Sequence, residues 1–593
     1  MILPDAAVMR NLTQITLSVP LLVLFGAAAT QAQPPVQPGK EIWAATLEAN
    51  IMKLRLQLNL EIAEDGKVTG EILSPDQSST PIELERVTRT AESLGFQIAR
   101  SGAGFAGEID AAGTLASGVF RQAGQVIPLE FRKIDRDLAQ THESSWLGQY
   151  QALNRTHQFQ LRVFRDDEDY LRGKLDIFSE GTFGLPCEIK MDGSAFKLDC
   201  KVLGLEFAGE LDSAGNSLEG VWQQDGVQLP ISFTRVAPEE SREARLNRAQ
   251  IPEGPLPYKF IEFRVPVREI DFRFEANVAI AGLISFPEGP GPFPTVLMLS
   301  DSGAQDRNHE FLGHPTFAVI ADYLTRQGFA VIRCDDRGVG GSVGPTRDAN
   351  TMAFTNDAEA IYRWAKTLPE IDPDRFVLLG YGEGSLVASL LVMRQPDIAG
   401  VILLAGHAVP GRELIMSQTQ AMSVAQGLDP DFIENLSRFT DQTLTLAQRE
   451  EEFSKLDLEE LAETYFGKLD QRERFDRGVH RVVDANLGLM QSAWMKFFLD
   501  YDPRPSLAYL RKPVLSLYGE NDRQVVPEIN APELEKAIAI GGNPDFQQHI
   551  LPGLNHLFQP SATGSSSEYI ENEITVDESV LKMIADWLNQ RFK

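Results

Sequence analysis

A chain of 593 residues, at roughly 150 residues per domain, has room for about four folding units and several buried cores. Its 43% hydrophobic and 23% charged residues exclude a largely disordered or fibrous chain, and 84 acidic against 55 basic residues, a formal charge of −29, is the wrong sign for gripping nucleic acid or an anionic membrane surface. Three cysteines are too few for a disulfide scaffold but leave room for one bridge and one spare thiol.

Residues 12–29 form an apolar run interrupted by Thr13, Gln14, Thr16, Ser18 and Pro20, with Arg10 the only basic residue before it and small residues at its end. The pattern predicts a signal peptide over 1–32, cleaved to leave a soluble periplasmic or secreted protein, with translation starting at Met9. A membrane anchor would need about twenty unbroken apolar residues. No cysteine stands at the cleavage point to take a lipid.

From Gly39 to Pro238 the text consists of short alternating runs between Asp-Gly, Gly and Ser-Pro turns, the pattern of half-buried antiparallel strands. It also repeats at a spacing of 102 residues: Phe105-Ala-Gly-Glu-Ile-Asp110 returns as Phe207-Ala-Gly-Glu-Leu-Asp212, and Gly118-Val-Phe-Arg-Gln122 as Gly220-Val-Trp-Gln-Gln224. This predicts two tandem antiparallel β modules, small and barrel-like, over 40–136 and 143–236. Aromatics such as Phe120 and Trp222 either fill the interiors or hold an apolar ligand in a barrel mouth. Cys187 and Cys200 flank the turn at Asp192-Gly193; if Met191 pairs with Phe196 they face each other, which makes them a disulfide candidate in an oxidising compartment. A stretch rich in Glu, Arg, Asn and Pro over 237–257 reads as a linker.

Beyond Tyr258 the apolar runs become continuous: Thr295–Ser300, Phe329–Arg333, Phe376–Gly380, Val401–Leu404 and Val514–Tyr518. Runs of this kind, separated by helical text, predict a doubly wound parallel sheet over 258–593. Thr575, with Glu578 three residues on, is the expected N-cap of the closing helix. Helical, charged text over about 410–507 predicts an inserted cap. Ligands in such sheets bind at the carboxyl ends of the strands. There stand Gly380-Tyr-Gly-Glu-Gly-Ser385, Gly519-Glu-Asn-Asp522 and Leu551-Pro-Gly-Leu-Asn-His556.

These motifs, with Ser302-Gly-Ala-Gln-Asp-Arg307, Asp335-Asp-Arg-Gly-Val-Gly340 and Ser492-Ala-Trp-Met-Lys-Phe-Phe498, resemble the α/β-hydrolase superfamily, and within it secreted bacterial esterase or peptidase-like serine hydrolases, over about 260–593. The resemblance implies that Asp522 orients His556, that His556 is the general base, and that the backbone N–H groups of Glu383 and Ser302 form an oxyanion hole. It implies no cofactor and no metal, and a small acyl or ester ligand. The nucleophile position is Gly382, which has no side chain to attack with. Tyr381, Ser385 and Asp301 also depart from the family pattern, and a carboxylate at 301 would oppose a developing oxyanion if it pointed inward.

Two functions fit: an esterase-like hydrolase impaired in catalysis, with water beside Gly382 activated by His556, or a pseudoenzyme that binds or scaffolds through its β modules and retained pocket. Under the first, Gly382→Ser is expected to raise ester turnover at least about a hundredfold. Trp494 and Phe498 either line an acyl pocket or pack the cap onto the core. His309, His314 and His407 match no common metal-ligand spacing, Asp335, Asp336 and Arg337 read as a loop brace, and Cys334 as a buried hydrophobe. Oligomeric state is not legible.

Overall fold

The computed structural model describes residues 38–593 apart from short stretches, the longest at 238–247, 268–277 and 480–488. The expected signal peptide, 1–32, and the start at Met9 lie outside the described residues. So does much of the linker, although Gln250 within it is pinned to the C-terminal domain: its Oε1 accepts the N–H groups of Thr575 at 2.7 Å and Val576 at 3.0 Å. Among the described residues no helix is long and apolar enough to cross a membrane.

The two β modules use equivalent strands. In the second, eight strands from His142–Ala152 to Val227–Val236 close into an antiparallel barrel. In the first, the counterpart of Thr182–Asp192 is split into Ile82–Glu83 and Glu85–Arg89, and the resulting nine-stranded sheet stays open at that point. The split has local causes. Arg86 takes a left-handed φ of 49°, the register shifts between Glu85 and Thr88, and the Leu84 N–H turns to the Gly70 carbonyl.

Packing explains why the repeat keeps its text. Gly107 faces Gly118, and Gly209 faces Gly220. A Cβ on Gly118 would lie 2.4 Å from the Gly107 Cα, and one on Gly220 2.6 Å from the Gly209 Cα. The rings of Phe105 and Phe207 lie over these pairs and shield their backbone. Phe120 and Trp222 are buried, and Trp222 packs at a tilt against Phe159, 4.7 Å between centroids, so the second barrel is filled by its own side chains. Met191 pairs with Phe196, which sets Cys187 opposite Cys200 as the hairpin reading required. In the structure the two buried thiols are hydrogen-bonded to each other rather than joined, and that bond, with burial, pushes the Cys187 thiol far above its ordinary range, away from the thiolate that exchange chemistry needs.

The C-terminal domain is built on one eight-stranded sheet, whose strands we number in chain order: β1 Lys259–Val267, β2 Val278–Phe286, β3 Phe293–Leu299, β4 Ala330–Cys334, β5 Ile371–Tyr381, β6 Gly400–Leu404, β7 Val514–Gly519 and β8 Phe546–Leu551. Their spatial order is β1-β2-β4-β3-β5-β6-β7-β8, antiparallel through β2 and parallel from β4 onward. The continuous apolar runs are the central strands, buried along their length. Helices Thr316–Arg326 and Glu578–Phe592 pack together, as do Thr351–Ala365 and Gly384–Arg394. The closing helix starts later than its text suggested: Asp577 is the N-cap, accepting the Ser579 N–H at 2.9 Å, because the Thr575 hydroxyl is drawn inward to His314 Nδ1 at 3.1 Å. Between β6 and β7, helices Gly411–Ala425, Pro430–Ala447, Lys455–Phe466 and Ala493–Asp500 form the cap around Phe432, Phe439 and Phe466.

Candidate active site

Strand order decides which loops meet. β3 and β5 are neighbours in register, with Leu299 opposite Gly380, so two residues further along each strand Asp301 and Gly382 arrive at one point. The reversal of connection at β3 makes this the crevice where doubly wound sheets bind ligands. Gly382 has φ 50°, the left-handed backbone of a nucleophile elbow. A Cβ on Gly380 would lie 2.3 Å from the Gly384 carbonyl oxygen, and one on Gly384 2.2 Å from that of Leu299. The flanking glycines are therefore obligatory, and the elbow is intact except for its side chain.

The missing side chain's volume is filled by Asp301. A Cβ at Gly382 would lie 1.9 Å from Asp301 Oδ1 and 2.2 Å from its Cγ. Oδ1 accepts the N–H of Ser302 at 2.7 Å and that of Glu383 at 2.8 Å. Oδ2 lies 3.1 Å from His556 Nε2. On the other side of the ring, His556 Nδ1 is 2.8 Å from Asp522 Oδ2, while Asp522 Oδ1 accepts the N–H groups of Gln524 and Val525, each at 2.8 Å. The side chains of Asp301, His556 and Asp522 are 17%, 3% and 0% exposed.

Three expectations change on this geometry. The N–H groups of Glu383 and Ser302 do converge, but on a carboxylate oxygen of the chain itself. The space for an activated water beside Gly382 is occupied. A serine introduced at 382 alone collides with Asp301.

Burial by itself would lower the affinity of His556 for its proton, but the charge of Asp522 and the hydrogen bonds that the ring donates to both carboxylates outweigh it and push its pKa up to about 10. Asp301, which burial would raise, is held well below the carboxylate range by its hydrogen bond to His556 and that ring's charge. At neutral pH the site is a carboxylate–imidazolium–carboxylate array, and an imidazolium is no general base. The linkage follows in sign. The raised His556 stabilises the fold fully below its ordinary 6.5, and this is lost as pH rises through about 10. The depressed Asp301 contributes fully above its ordinary 3.8 and loses this as pH falls. Asp301→Asn removes one of the two carboxylates, and its His556 is expected to titrate at least about one pH unit below that of the unaltered chain in imidazole nitrogen NMR. An unchanged titration would show that Asp301 does not set the charge on the ring.

Other residues support this arrangement. Tyr381 donates its hydroxyl to the His556 carbonyl. Ser385 is locked, donating to the Gly382 carbonyl at 2.6 Å and accepting the His407 N–H at 3.0 Å, so it is no substitute nucleophile. Trp494 Nε1 donates to both Glu383 carboxylate oxygens, at 2.8 and 2.9 Å, and Phe498 stacks on Trp494 at 4.8 Å; these two residues fasten the cap to the elbow. Arg307 with Asp335 and Arg337 with Asp357 form bidentate pairs that brace the loops after β3 and β4.

Sequence reasoning missed the Glu383 carboxylate, which also accepts the Thr351 hydroxyl at 2.6 Å and which burial pushes up to about 7. It also set His309 and His407 aside. Both are buried beside the site, burial lowers both to about 4, and His309 has neither ring nitrogen partnered. Their spacing in the text carried no signal, because two separate loops, after β3 and after β6, bring them in.

The sheet order, elbow and acid–histidine pair are those of an α/β-hydrolase domain. Residues 309–561 match the family model described as alpha/beta hydrolase fold. Among curated proteins the chain is similar to Esterase EstD of Thermotoga maritima, 26% identical over 324 residues, covering 53% of this chain and 67% of that protein. It is also similar to Esterase FrsA of Klebsiella pneumoniae, 26% identical over 174 residues, covering 29% of this chain and only 38% of that protein. Among solved structures, the proline iminopeptidase of Mycobacterium smegmatis aligns with a TM-score of 0.35 at 16% identity, covering 56% of this chain and 98% of that one.

Proposed function

We propose that this chain is an exported, esterase-like α/β-hydrolase protein that has lost serine-type acyl transfer while keeping the pocket of that chemistry. The observation that carries the reading is the single carboxylate of Asp301, which takes the oxyanion-hole N–H groups of Ser302 and Glu383 and the Nε2 of His556 together. A small acyl or ester ligand entering beneath the cap finds no donor for its carbonyl oxygen, no nucleophile at 382 and a ring already protonated. Export rests on the apolar run at 12–29. The purified protein is expected to turn over p-nitrophenyl esters at the buffer rate and to take no fluorophosphonate label. Robust turnover abolished by His556→Ala would overturn this reading, and a labelled serine would reveal the substitute nucleophile.

A second reading, a binding or scaffolding protein of the envelope, is favoured by a cavity of about 900 Å³ where Leu47, Ile72 and Phe120 of the first β module face Leu256, Tyr258 and Phe260 of the hydrolase domain. The module side of its wall is apolar, which suits an apolar ligand, while the hydrolase side adds charged residues such as Asp306, Arg307 and Glu310.

A further inference from the structure

The face of the sheet beside the first β module carries a polar feature that the apolar module does not explain. Leu283 of β2 stands opposite Glu262 of β1 on one side and Arg333 of β4 on the other, so the three side chains form a row on one face. All three line the cavity of about 900 Å³. Arg333 is 6% exposed, yet among the described residues its one acceptor is Asn308 Oδ1, 2.6 Å from Nη1; no carboxylate lies within ion-pair distance and Nε has no partner. Burial brings its pKa down only to about 10, so at neutral pH it is a buried cation without a counter-ion. We propose that this cavity, on which the second reading of function rests, binds a single-chain fatty acid, with the carboxylate on Arg333 and the acyl chain inside the first β module.

The apolar end is the interior of the module itself. Leu47, Leu56, Ile98 and Phe120 belong at once to the module's core and to the cavity wall, and they come from four different strands. Ile82, on the short strand at the split, lines the cavity as well, so the open seam and the opening toward the hydrolase domain are one feature. A volume of about 900 Å³ falls in the range of small-molecule sites, about 300–1,000 Å³. An unbranched acyl chain asks of such a space only apolar contact along its length and one polar anchor at its end. The two walls supply one each. Asp301, Gly382 and His556 do not line this cavity, so it is separate from the elbow site.

The charge of the head group follows from what surrounds Arg333. Arg307 and Asp335 neutralise each other in their bidentate pair. Asp306 Oδ1 is taken by the N–H groups of Asn308 at 3.0 Å and Glu310 at 3.2 Å, and Glu262 and Glu310 are exposed to water. Arg333 is therefore the buried charge left to match. With three carboxylates in the same wall, one guanidinium balances a single negative charge, whereas a phosphate monoester brings up to two and would be repelled. A cationic amphiphile would meet Arg333 as a like charge. A neutral one would leave the guanidinium without a counter-ion, and charge-assisted hydrogen bonds are the stronger kind.

The test is a calorimetric titration of the full chain with decanoate, 1-decanol and decyltrimethylammonium, each below the concentration at which it aggregates. Decanoate is expected to bind at least about tenfold tighter than decanol, and the ammonium more weakly than either. Each methylene added to the acid is expected to tighten binding about three- to fourfold until the cavity is filled. Decanoate carrying a photoreactive diazirine at its chain end is expected to label peptides within residues 47–120. Arg333→Met is expected to weaken decanoate at least about tenfold and leave decanol unchanged. No binding by any of the three amphiphiles overturns this inference and the second reading together. Binding of the alcohol or the ammonium as tight as that of the acid overturns this inference alone, as does an Arg333→Met chain that holds decanoate unchanged. Label confined to the cap and elbow peptides places the acid at the other site and overturns it too. If Arg333→Met does not fold, the head-group series and the labelling of the unaltered chain decide the matter.

Discussion

Gly382→Ser alone is expected to leave ester turnover at background, whereas the pair Gly382→Ser with Asp301→Gly raises it at least about a hundredfold. The single change puts a Cβ 1.9 Å from Asp301 Oδ1, closer than any non-bonded contact allows, so the carboxylate must move or the elbow must distort. The double change removes the obstruction and frees the N–H groups of Ser302 and Glu383 for a substrate oxygen. It also leaves His556 with Asp522 as its one carboxylate, which lowers the ring's proton affinity toward the range where it accepts a proton from serine. Esterase assays of the two variants side by side check this. A single variant as active as the double would mean that Asp301 swings clear, and the occupied-hole account would fail.

The largest expected loss of stability comes from Arg337→Leu. Arg337 is 2% exposed and donates Nε and Nη2 to the two Asp357 oxygens, each at 2.8 Å, with a further bond from Nη2 to the Ala353 carbonyl at 3.1 Å. Removing one partner of such a pair leaves a buried carboxylate without its cation, a change that costs about 3–5 kcal/mol. Because the loop carrying Arg337 also positions Asp335 and Asp336 against the loop after β3, the binding site should loosen along with the fold. Chemical denaturation of the variant measures it. A loss below about 1 kcal/mol, the range of an exposed ion pair, would show that the brace is not a source of stability.

Much of this architecture was legible because it is written locally. Five continuous apolar runs became β3 to β7, the alternating text became the β modules, and the repeat at 102 residues became equivalent strands. β1 and β2 fall inside the span assigned to this domain but were not read as strands of its sheet, since an antiparallel edge pair lacks the continuous apolar run of a central strand. β8 was missed because it is an edge strand, exposed at Gln547, His549 and Ile550. At the site, the elbow, the acid and the histidine were readable from motif and order. Gly382 and Asp301 were both noticed as departures, one a lost side chain and the other a gained one. That each is the answer to the other depends on Leu299 standing opposite Gly380 across two strands, a tertiary fact with no local trace.

The split strand of the first β module separates two copies of one ancestral design. In the closed second barrel every strand has a neighbour on both sides, so weakening any one strand loosens the whole ring, and substitutions there are felt by all eight. In the first, Ile82–Glu83 and Glu85–Arg89 each answer to a single neighbour, and a change in either stays local. One copy is thus a closed unit in which strain is shared and the other carries a seam along which its shape can change, and that open copy is the one whose apolar interior faces the hydrolase domain.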